Sequence, residues 1–115
     1  MTEEIELLGI TEYGRHGVYP EEKQNKQKFI IDLKIKMARK DRSDAVETTV
    51  DYAKLVDVVR NVVATTSFDL IETLAEAIAT ECMQNSFING ISVIVNKPEA
   101  AKSLGISNVS VSHTR

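Results

Sequence analysis

The clearest predicted strand spans residues 29–37, where apolar residues recur at every second position. The apolar positions are Phe29, Ile31, Leu33, Ile35 and Met37. This period-two pattern is typical of a strand that buries one face and leaves the other in contact with water. Shorter alternations at residues 91–95 and 109–111 predict two further strands.

Residues 5–13 predict another strand, but its apolar phase changes part of the way along. The change falls between Leu7 and Leu8, next to Gly9. A phase change beside a glycine is typical of a β-bulge, in which one extra residue is inserted into the strand. We therefore expect this strand to be bent at Gly9.

Two segments after this strand have no regular period. Residues 14–17, Gly-Arg-His-Gly, end the strand, and the charged residues 20–28 are interpreted as an irregular excursion between strands.

A helical period begins after Asp51, a residue suited to cap a helix N-terminus. One helical face collects Leu55, Val56, Val59, Val62 and Val63. These residues predict the first of two helices.

A second helix is predicted from a possible capping box, in which Asp69 caps the helix and Glu72 is its third residue. The apolar stripe continues through Ile71, Leu74, Ala75, Ile78 and Cys82. We expect this helix to end between Asn85 and Asn89.

The order strand, strand, helix, helix, strand, strand predicts one α+β domain over residues 1–115. Its antiparallel four-stranded sheet would carry both helices on one face. The two edges of such a sheet are left bare, and bare edges tend to pair with other strands. Edge-to-edge closure of several subunits into a barrel would remove both edges and enlarge a modest core.

The charge balance excludes some classes of protein. Fourteen Lys and Arg against 17 Asp and Glu give a net charge of −3, which argues against a dedicated nucleic-acid binder. The basic residues within 34–42 are interpreted as a solvated strand face rather than a phosphate-binding patch. Cys82 is the sole cysteine, and no apolar run reaches the ~18 residues of a membrane span. We expect a soluble cytoplasmic protein with no nucleic-acid or membrane partner.

Four polar residues at the ends of predicted elements are candidates for chemistry, and each also has a structural interpretation. Glu72 completes the possible capping box, and Glu22 lies in a charged run. Lys97 precedes Pro98, which holds its backbone extended, and Tyr52 follows a helix cap where tyrosine often serves in packing.

The remaining candidates are weaker. His16, His113 and Cys82 lie in separate segments without the spacing of metal ligands. We interpret His16 as a structural hydrogen-bonding residue and His113 as part of a frayed C-terminus. The chain has neither of the glycine-rich motifs that bind nucleotide phosphates, so no metal and no nucleotide cofactor is expected.

Several short motifs, in order and over nearly the whole chain, resemble the dihydroneopterin aldolases of folate biosynthesis. Residues 13–17, Tyr-Gly-Arg-His-Gly, are similar to the family's YGxHG, and Glu22, Gln27 and Phe29 follow at its spacing. Asp44 and residues 48–52 are similar to the family segment that ends in tyrosine. Residues 70–74 match its L-[LI]-E-x-L motif, and Val-Asn-Lys-Pro at residues 95–98 completes the set.

The resemblance implies a lyase that cleaves 7,8-dihydroneopterin by a retro-aldol reaction, giving 6-hydroxymethyl-7,8-dihydropterin and glycolaldehyde. It implies the tunnelling fold, a homo-octamer of two stacked tetrameric rings, and active sites shared between adjacent subunits. Neither a metal nor a Schiff base is implied, because the substrate's own C=N bond can accept the electrons. Residues 98–103 would form a loop that closes the site.

The resemblance also implies roles for particular residues. Lys97, Tyr52 and Glu22 would transfer protons, and Glu72 would anchor the pterin. The remaining binding residues would be Ile71 of the same subunit with Thr49 and Val50 of its neighbour.

Two other functions fit the same residues. An epimerase that acts on dihydroneopterin or its triphosphate would use the same reversible cleavage, and a triphosphate would favour a basic pocket. A non-catalytic pterin-binding assembly protein would need only the anchor, so the proton-transferring set argues against it.

Overall fold

The computed structural model describes residues 2–115, which form an antiparallel sheet with helices packed on it. The strands within these residues are β1 (Glu3–Gly14), β2 (Gln27–Met37), β3 (Ile88–Asn96) and β4 (Ser110–Thr114). They pair in the order β1-β2-β3-β4, each antiparallel to its neighbour. This arrangement confirms the predicted α+β fold.

The helices of residues 2–115 are α1 (Pro20–Gln24), α2 (Tyr52–Thr65), α3 (Ile71–Cys82) and α4 (Pro98–Leu104), with a 3-10 turn at Val46–Thr48. The long helices α2 and α3 pack on the same face of the sheet and on each other. The residues of the predicted apolar stripes are buried, apart from Val56 and Ile71, which are only partly buried. Ala79 of α3, which was not predicted, is buried as well.

The core lies between these helices and β2. Phe29, Ile31, Leu33 and Ile35 have no exposed surface, and Met37 has almost none. The intervening Lys34 and Lys36 point to the uncovered face and are exposed. Strict alternation in the sequence therefore corresponds to one covered face and one open face.

The predicted bulge is present in β1. Pairing with β2 shifts between Leu7 and Ile10, and Gly9 has a φ of +76°. The Gly9 N–H leaves the ladder and donates to the Asp32 carboxylate at 2.8 Å. Glycine suits this position because it adopts positive φ without steric cost.

The two long helices differ in how they begin. Asp51 caps α2 as predicted, since its carboxylate accepts the Ala53 N–H at 3.2 Å. The predicted capping box of α3 is wrong: Leu70 is the N-cap residue and makes no side-chain cap bond. Asp69 instead forms an ion pair with Lys23 of α1 at 2.6 Å. Glu72 is thus free of the capping role and is exposed in the first turn.

Three boundaries also differ from the prediction. Helix α3 ends at Cys82, before the predicted limit, because residues 83–86 form turns. Residues 20–28, predicted to be irregular, contain α1 and the start of β2. Residues 98–103, predicted to form a loop, lie in α4. Both short helices open with proline, which is favoured in a first turn, but neither is long enough to show a clear apolar period.

The C-terminal segment is ordered into the sheet rather than frayed. His113 lies in β4 opposite Val93, and its Nε2 atom is buried without a hydrogen-bond partner in residues 2–115. Cys82 is also buried, and burial raises the pKa of its thiol to about 12. No helix within residues 2–115 has the length and apolar character needed to cross a membrane.

Candidate active site

A largely buried ion pair between α1 and the end of β3 forms the centre of the candidate site. Lys97 Nζ lies 2.5 Å from Glu22 Oε2, and the two side chains are only 13% and 17% exposed. Glu22 is placed by α1, whereas Lys97 is placed by the end of β3, where its N–H donates to the Val109 carbonyl at 2.9 Å. The fold thus joins two residues 75 positions apart in the sequence.

Other groups hold the Glu22 carboxylate in place. Gln27 Nε2 donates to Glu22 Oε2 at 3.0 Å, and the Tyr19 N–H donates to Oε1 at 3.3 Å. Burial by itself would raise the pKa of Glu22, but the hydrogen bonds from Lys97 and Gln27 outweigh it and lower that pKa. Glu22 is therefore a carboxylate at neutral pH.

Gly17 supplies the space that this carboxylate occupies. A Cβ atom at residue 17 would lie 2.2–2.4 Å from the carboxylate atoms of Glu22. Its φ of +154° is also a conformation that other residues rarely adopt. Only glycine fits both conditions.

A cleft of about 540 Å³ opens beside the ion pair, between α1 and α4. Its walls include Tyr19, Asn25, Lys26, Gln27, Glu99, Ser103 and Leu104. Helix α4 is held on the sheet by Glu99, whose carboxylate accepts the Lys28 N–H at 2.6 Å. The polar, water-accessible cleft is large enough for a small hydroxylated molecule.

The start of α3 lies next to this region. Gly17 donates its N–H to the Phe68 carbonyl at 3.0 Å, and Lys23 pairs with Asp69. Ile71 and Glu72 follow directly in the first turn of α3. The structure thus brings four of the predicted site residues to one end of the sheet.

The other three predicted site residues lie at the opposite end. Thr49 donates its hydroxyl to the sulfur of Met37 at 3.7 Å, and Tyr52 is 61% exposed. Val50 is 2% exposed and packs in the core of its own subunit.

The two groups are too far apart to form one site within a subunit. Gln27, which contacts Glu22, is the first residue of β2, and Met37, which contacts Thr49, is the last. Ten residue steps in an extended strand span roughly 33 Å. Glu22 and Tyr52 can meet only if they come from different copies of the chain.

Sequence reasoning assigned no role to two residues that shape the site. Gln27 and Gly17 appear in motifs, but their contacts with Glu22 depend on how α1 folds back onto the strand ends. The sequence signal that could have indicated these contacts is that Gly17, Glu22 and Gln27 lie close together along the chain. Within residues 2–115, no group of three or more His, Cys, Asp or Glu side chains is placed to hold a metal ion.

Comparison with known proteins identifies the family of this chain. The family model for FolB, dihydroneopterin aldolase, matches residues 5–114. The dihydroneopterin aldolase of Methylorubrum extorquens is 39% identical over 103 residues, which cover 87% of this chain and 79% of the relative. That of Streptomyces coelicolor is 31% identical over 113 residues, which cover 96% and 95%.

Solved structures show the same relationship. The E. coli dihydroneopterin aldolase, determined in complex with neopterin, superposes with a TM-score of 0.86 at 25% identity, over 98% of both chains. Both the sequence and the fold match along nearly the whole length. This chain therefore belongs to the dihydroneopterin aldolase family.

Proposed function

We propose that the chain cleaves 7,8-dihydroneopterin in a site built from two subunits. Glu22, Lys97 and the start of α3 come from one subunit, and Tyr52 comes from its neighbour. The products are 6-hydroxymethyl-7,8-dihydropterin and glycolaldehyde. The observation that carries this proposal is the largely buried contact between Glu22 and Lys97 beside an open cleft.

The first chemical step breaks a C–C bond of the substrate's side chain. Lys97, which is paired as an ammonium with Glu22, first gives a proton to N5 of the pterin, directly or through a water molecule. The resulting amine then takes the proton of the side-chain hydroxyl, and the C–O bond becomes the carbonyl of glycolaldehyde. The electron pair of the broken bond moves into the ring C=N bond, whose N5 already carries the proton from Lys97. Glu22 fixes the position of the Lys97 amine through the 2.5 Å contact.

The second step completes the product. N5 then loses to water the proton it gained, which restores the ring C=N bond, and the remaining enamine carbon needs one proton to become the hydroxymethyl group. The Tyr52 hydroxyl of the neighbouring subunit supplies it, since this side chain is exposed at the start of α2 and is free to enter another subunit's cleft.

Glu72 supplies the anchor for the pterin ring. A carboxylate accepts paired, charge-assisted hydrogen bonds from the amino group and the ring N–H of a pterin. Glu72 is exposed and makes no capping bond, so its carboxylate is available to a ligand. The Ile71 backbone lies beside it, and Thr49 and Val50 of the neighbouring subunit complete the proposed pocket.

Assembly into a homo-octamer of two stacked tetrameric rings would produce this shared site. Strands β1 and β4 are the edges of the sheet, and their pairing between subunits would close it into a barrel. The separation of roughly 33 Å between the two residue groups, estimated from the length of β2, supports a site shared by adjacent subunits.

The charges around the cleft favour an uncharged side chain over a triphosphate. The lining carboxylates are Glu21, Glu22 and Glu99, and the lining lysines are Lys26 and Lys97. Lys97 is already paired with Glu22, so a phosphate would find only Lys26 unpaired. The neopterin bound by the E. coli relative has no phosphate, which supports the same substrate class.

Incubation of the purified protein with 7,8-dihydroneopterin tests the reaction. We expect equal amounts of glycolaldehyde and 6-hydroxymethyl-7,8-dihydropterin. Conversion to the side-chain epimer without glycolaldehyde would favour the epimerase. Tight binding without turnover would favour a pterin-binding protein.

Co-expression of two impaired variants tests the shared site, with the rate of 6-hydroxymethyl-7,8-dihydropterin formation as the activity that is measured. Lys97→Ala and Tyr52→Phe damage different subunits of each site, so random mixing leaves about a quarter of the sites intact. We expect about that fraction of wild-type activity from the mixture. A mixture as inactive as its components would exclude the shared site.

A further inference from the structure

His16 is a fully buried side chain whose two ring nitrogens are both bonded. Nε2 lies 2.8 Å from the Val63 carbonyl, and Nδ1 accepts the Phe68 N–H at 3.0 Å. A carbonyl only accepts and an amide N–H only donates, so the proton resides on Nε2 and the ring is neutral. The two partners thus select one tautomer and one orientation.

These bonds fasten the linker between α2 and α3 to the end of β1. The ring of Phe68 stacks on that of His16, with centroids 5.8 Å apart. Ser67 donates its hydroxyl to the Arg15 carbonyl at 2.6 Å. The clamped residues 67–68 end three positions before α3, so they determine where Ile71 begins that helix.

The same segment also supports the ion pair. The His16 carbonyl accepts from Gln27 Nε2 at 3.3 Å, and that amide also donates to Glu22. Gly17, the next residue, lies directly against the Glu22 carboxylate. Any shift of residues 16–17 would therefore move the proton-transferring groups.

Gly14 permits the ring to take this position. A Cβ atom at residue 14 would lie 2.5 Å from the Val63 carbonyl and 2.9 Å from the His16 ring. The backbone of β1 is thus shaped to admit an imidazole at a place where an apolar side chain would satisfy neither Val63 nor Phe68.

We infer that His16 is a positioning residue, which holds the pterin-binding end of α3 and the Glu22–Lys97 pair in a fixed relation. This inference rests on the proposed function, because it takes the start of α3 as the pterin anchor. The bond from Nδ1 to the linker carries the effect on α3. The bond from Nε2 to α2 serves packing alone.

Two substitutions separate these bonds. In His16→Asn the amide oxygen lies near the place of Nδ1 and can accept the Phe68 N–H. In His16→Gln the amide nitrogen reaches the place of Nε2 and can donate to Val63. Both variants lose the aromatic packing, so we expect similar losses of thermal stability.

The readout is the dissociation constant of 6-hydroxymethyl-7,8-dihydropterin, measured by titration calorimetry, together with kcat. Loss of one buried hydrogen bond corresponds to about a fivefold to tenfold change. We expect His16→Gln to weaken product binding by at least about fivefold and to lower kcat, and His16→Asn to stay within about twofold of wild type. The inference would be overturned if both variants bound the product equally weakly and the loss of affinity followed the loss of thermal stability.

If neither His16 variant folds, substitutions at two exposed positions of the same region still test the inference. Ser67→Ala removes a bond that holds the same linker, whereas Thr65→Ala removes one within α2, to the Asn61 carbonyl. We expect weaker product binding in Ser67→Ala only. Wild-type binding by Ser67→Ala would overturn the inference, whereas a wild-type protein that does not cleave dihydroneopterin would overturn the proposed function instead.

Discussion

The two ends of the sheet contribute to the proposed site in opposite ways. At the cleft end, Glu22 and Lys97 are mostly buried, and each is held by contacts within the subunit. At the other end, Tyr52 is 61% exposed on the first turn of α2. The cleft end is organised before a neighbour arrives, whereas Tyr52 becomes part of a site only through assembly.

This difference separates the energetic roles of the two ends. Groups that are already bonded lose little conformational freedom when substrate binds, which favours precise proton transfer. In the proposed site, the exposed Tyr52 would acquire its position from the neighbouring subunit. Substitutions at the cleft end should therefore alter chemistry within each subunit, and substitutions at Tyr52 should alter a step that depends on assembly.

The largest effect is expected for Lys97→Ala. Removal of a group that transfers protons in the transition state should lower kcat by about 10²- to 10⁴-fold, with a smaller change in product binding. Steady-state kinetics and calorimetry measure the two quantities. Lys102→Ala on exposed α4 is the matched control and should behave as wild type. Equal losses in binding and turnover would mean that Lys97 is an anchor.

Tyr52→Phe should slow formation of the hydroxymethyl product by about 10²-fold, because the ring remains while the proton donor is lost. Glycolaldehyde can still leave, so the electron-rich intermediate should persist and be diverted in part to oxidation by dissolved oxygen. Chromatography of the products with and without oxygen measures this. The oligomer should be unchanged by light scattering. If Tyr52→Phe formed the hydroxymethyl product in wild-type yield and at the wild-type rate, Tyr52 would be a packing residue and not a proton donor.

Glu72→Gln should weaken product binding by about fivefold to 150-fold. An amide must present one N–H toward the donors of the pterin, and the mismatch costs about 1–3 kcal/mol. Glu76→Gln, exposed on the next turn of α3, is the control and should bind as wild type. Calorimetry that shows equal affinities for both variants would remove Glu72 from the anchor.

Gly17→Ala should lower kcat and destabilise the protein by about 1–3 kcal/mol, since the new methyl group would displace the Glu22 carboxylate and strain the backbone. The control is Gly9→Ala, which also has positive φ but has nothing within 4 Å of the new atom. This control should lose stability and keep its kcat. Chemical denaturation and kinetics of both variants give the comparison.

The smallest effect concerns pH. Burial lowers the pKa of His16 below 6.5, more strongly than its bond to Val63 raises it. As the pH falls, His16 takes up a proton in the unfolded chain at a higher pH than in the folded protein. The contribution of neutral His16 to the free energy of unfolding is therefore fully present above pH 6.5 and decreases as the pH drops toward the lowered pKa. Glu22, whose pKa is also lowered, adds a second loss in more acidic solution.

Denaturant unfolding from pH 7.5 to pH 5, at constant protein concentration, should show the first of these losses. His16→Asn carries no titrating group there, so its stability should depend less on pH in that window. Identical slopes for the two proteins would show that His16 is not responsible.

Much of the fold was predictable because local patterns and tertiary burial agree. The alternation at residues 29–37 corresponds to a covered and an open face, and Asp51 caps α2 as its chemistry suggests. The start of α3 was not predictable in the same way. Asp69 has the side chain of a cap but pairs with Lys23 of a distant helix, so a tertiary contact replaced a local one.

For the candidate site, too, the sequence determined one part and only the tertiary structure decided the other. Residue types and motif order determined, by resemblance, the family and the reaction that Glu22, Lys97, Tyr52 and Glu72 are proposed to perform. Tertiary structure decided that Glu22 meets Lys97, because a contact across 75 positions depends on how α1 and β3 are placed by the whole sheet. It also placed Tyr52 at the far end of β2, since a strand of fixed rise per residue separates its two ends whatever its sequence.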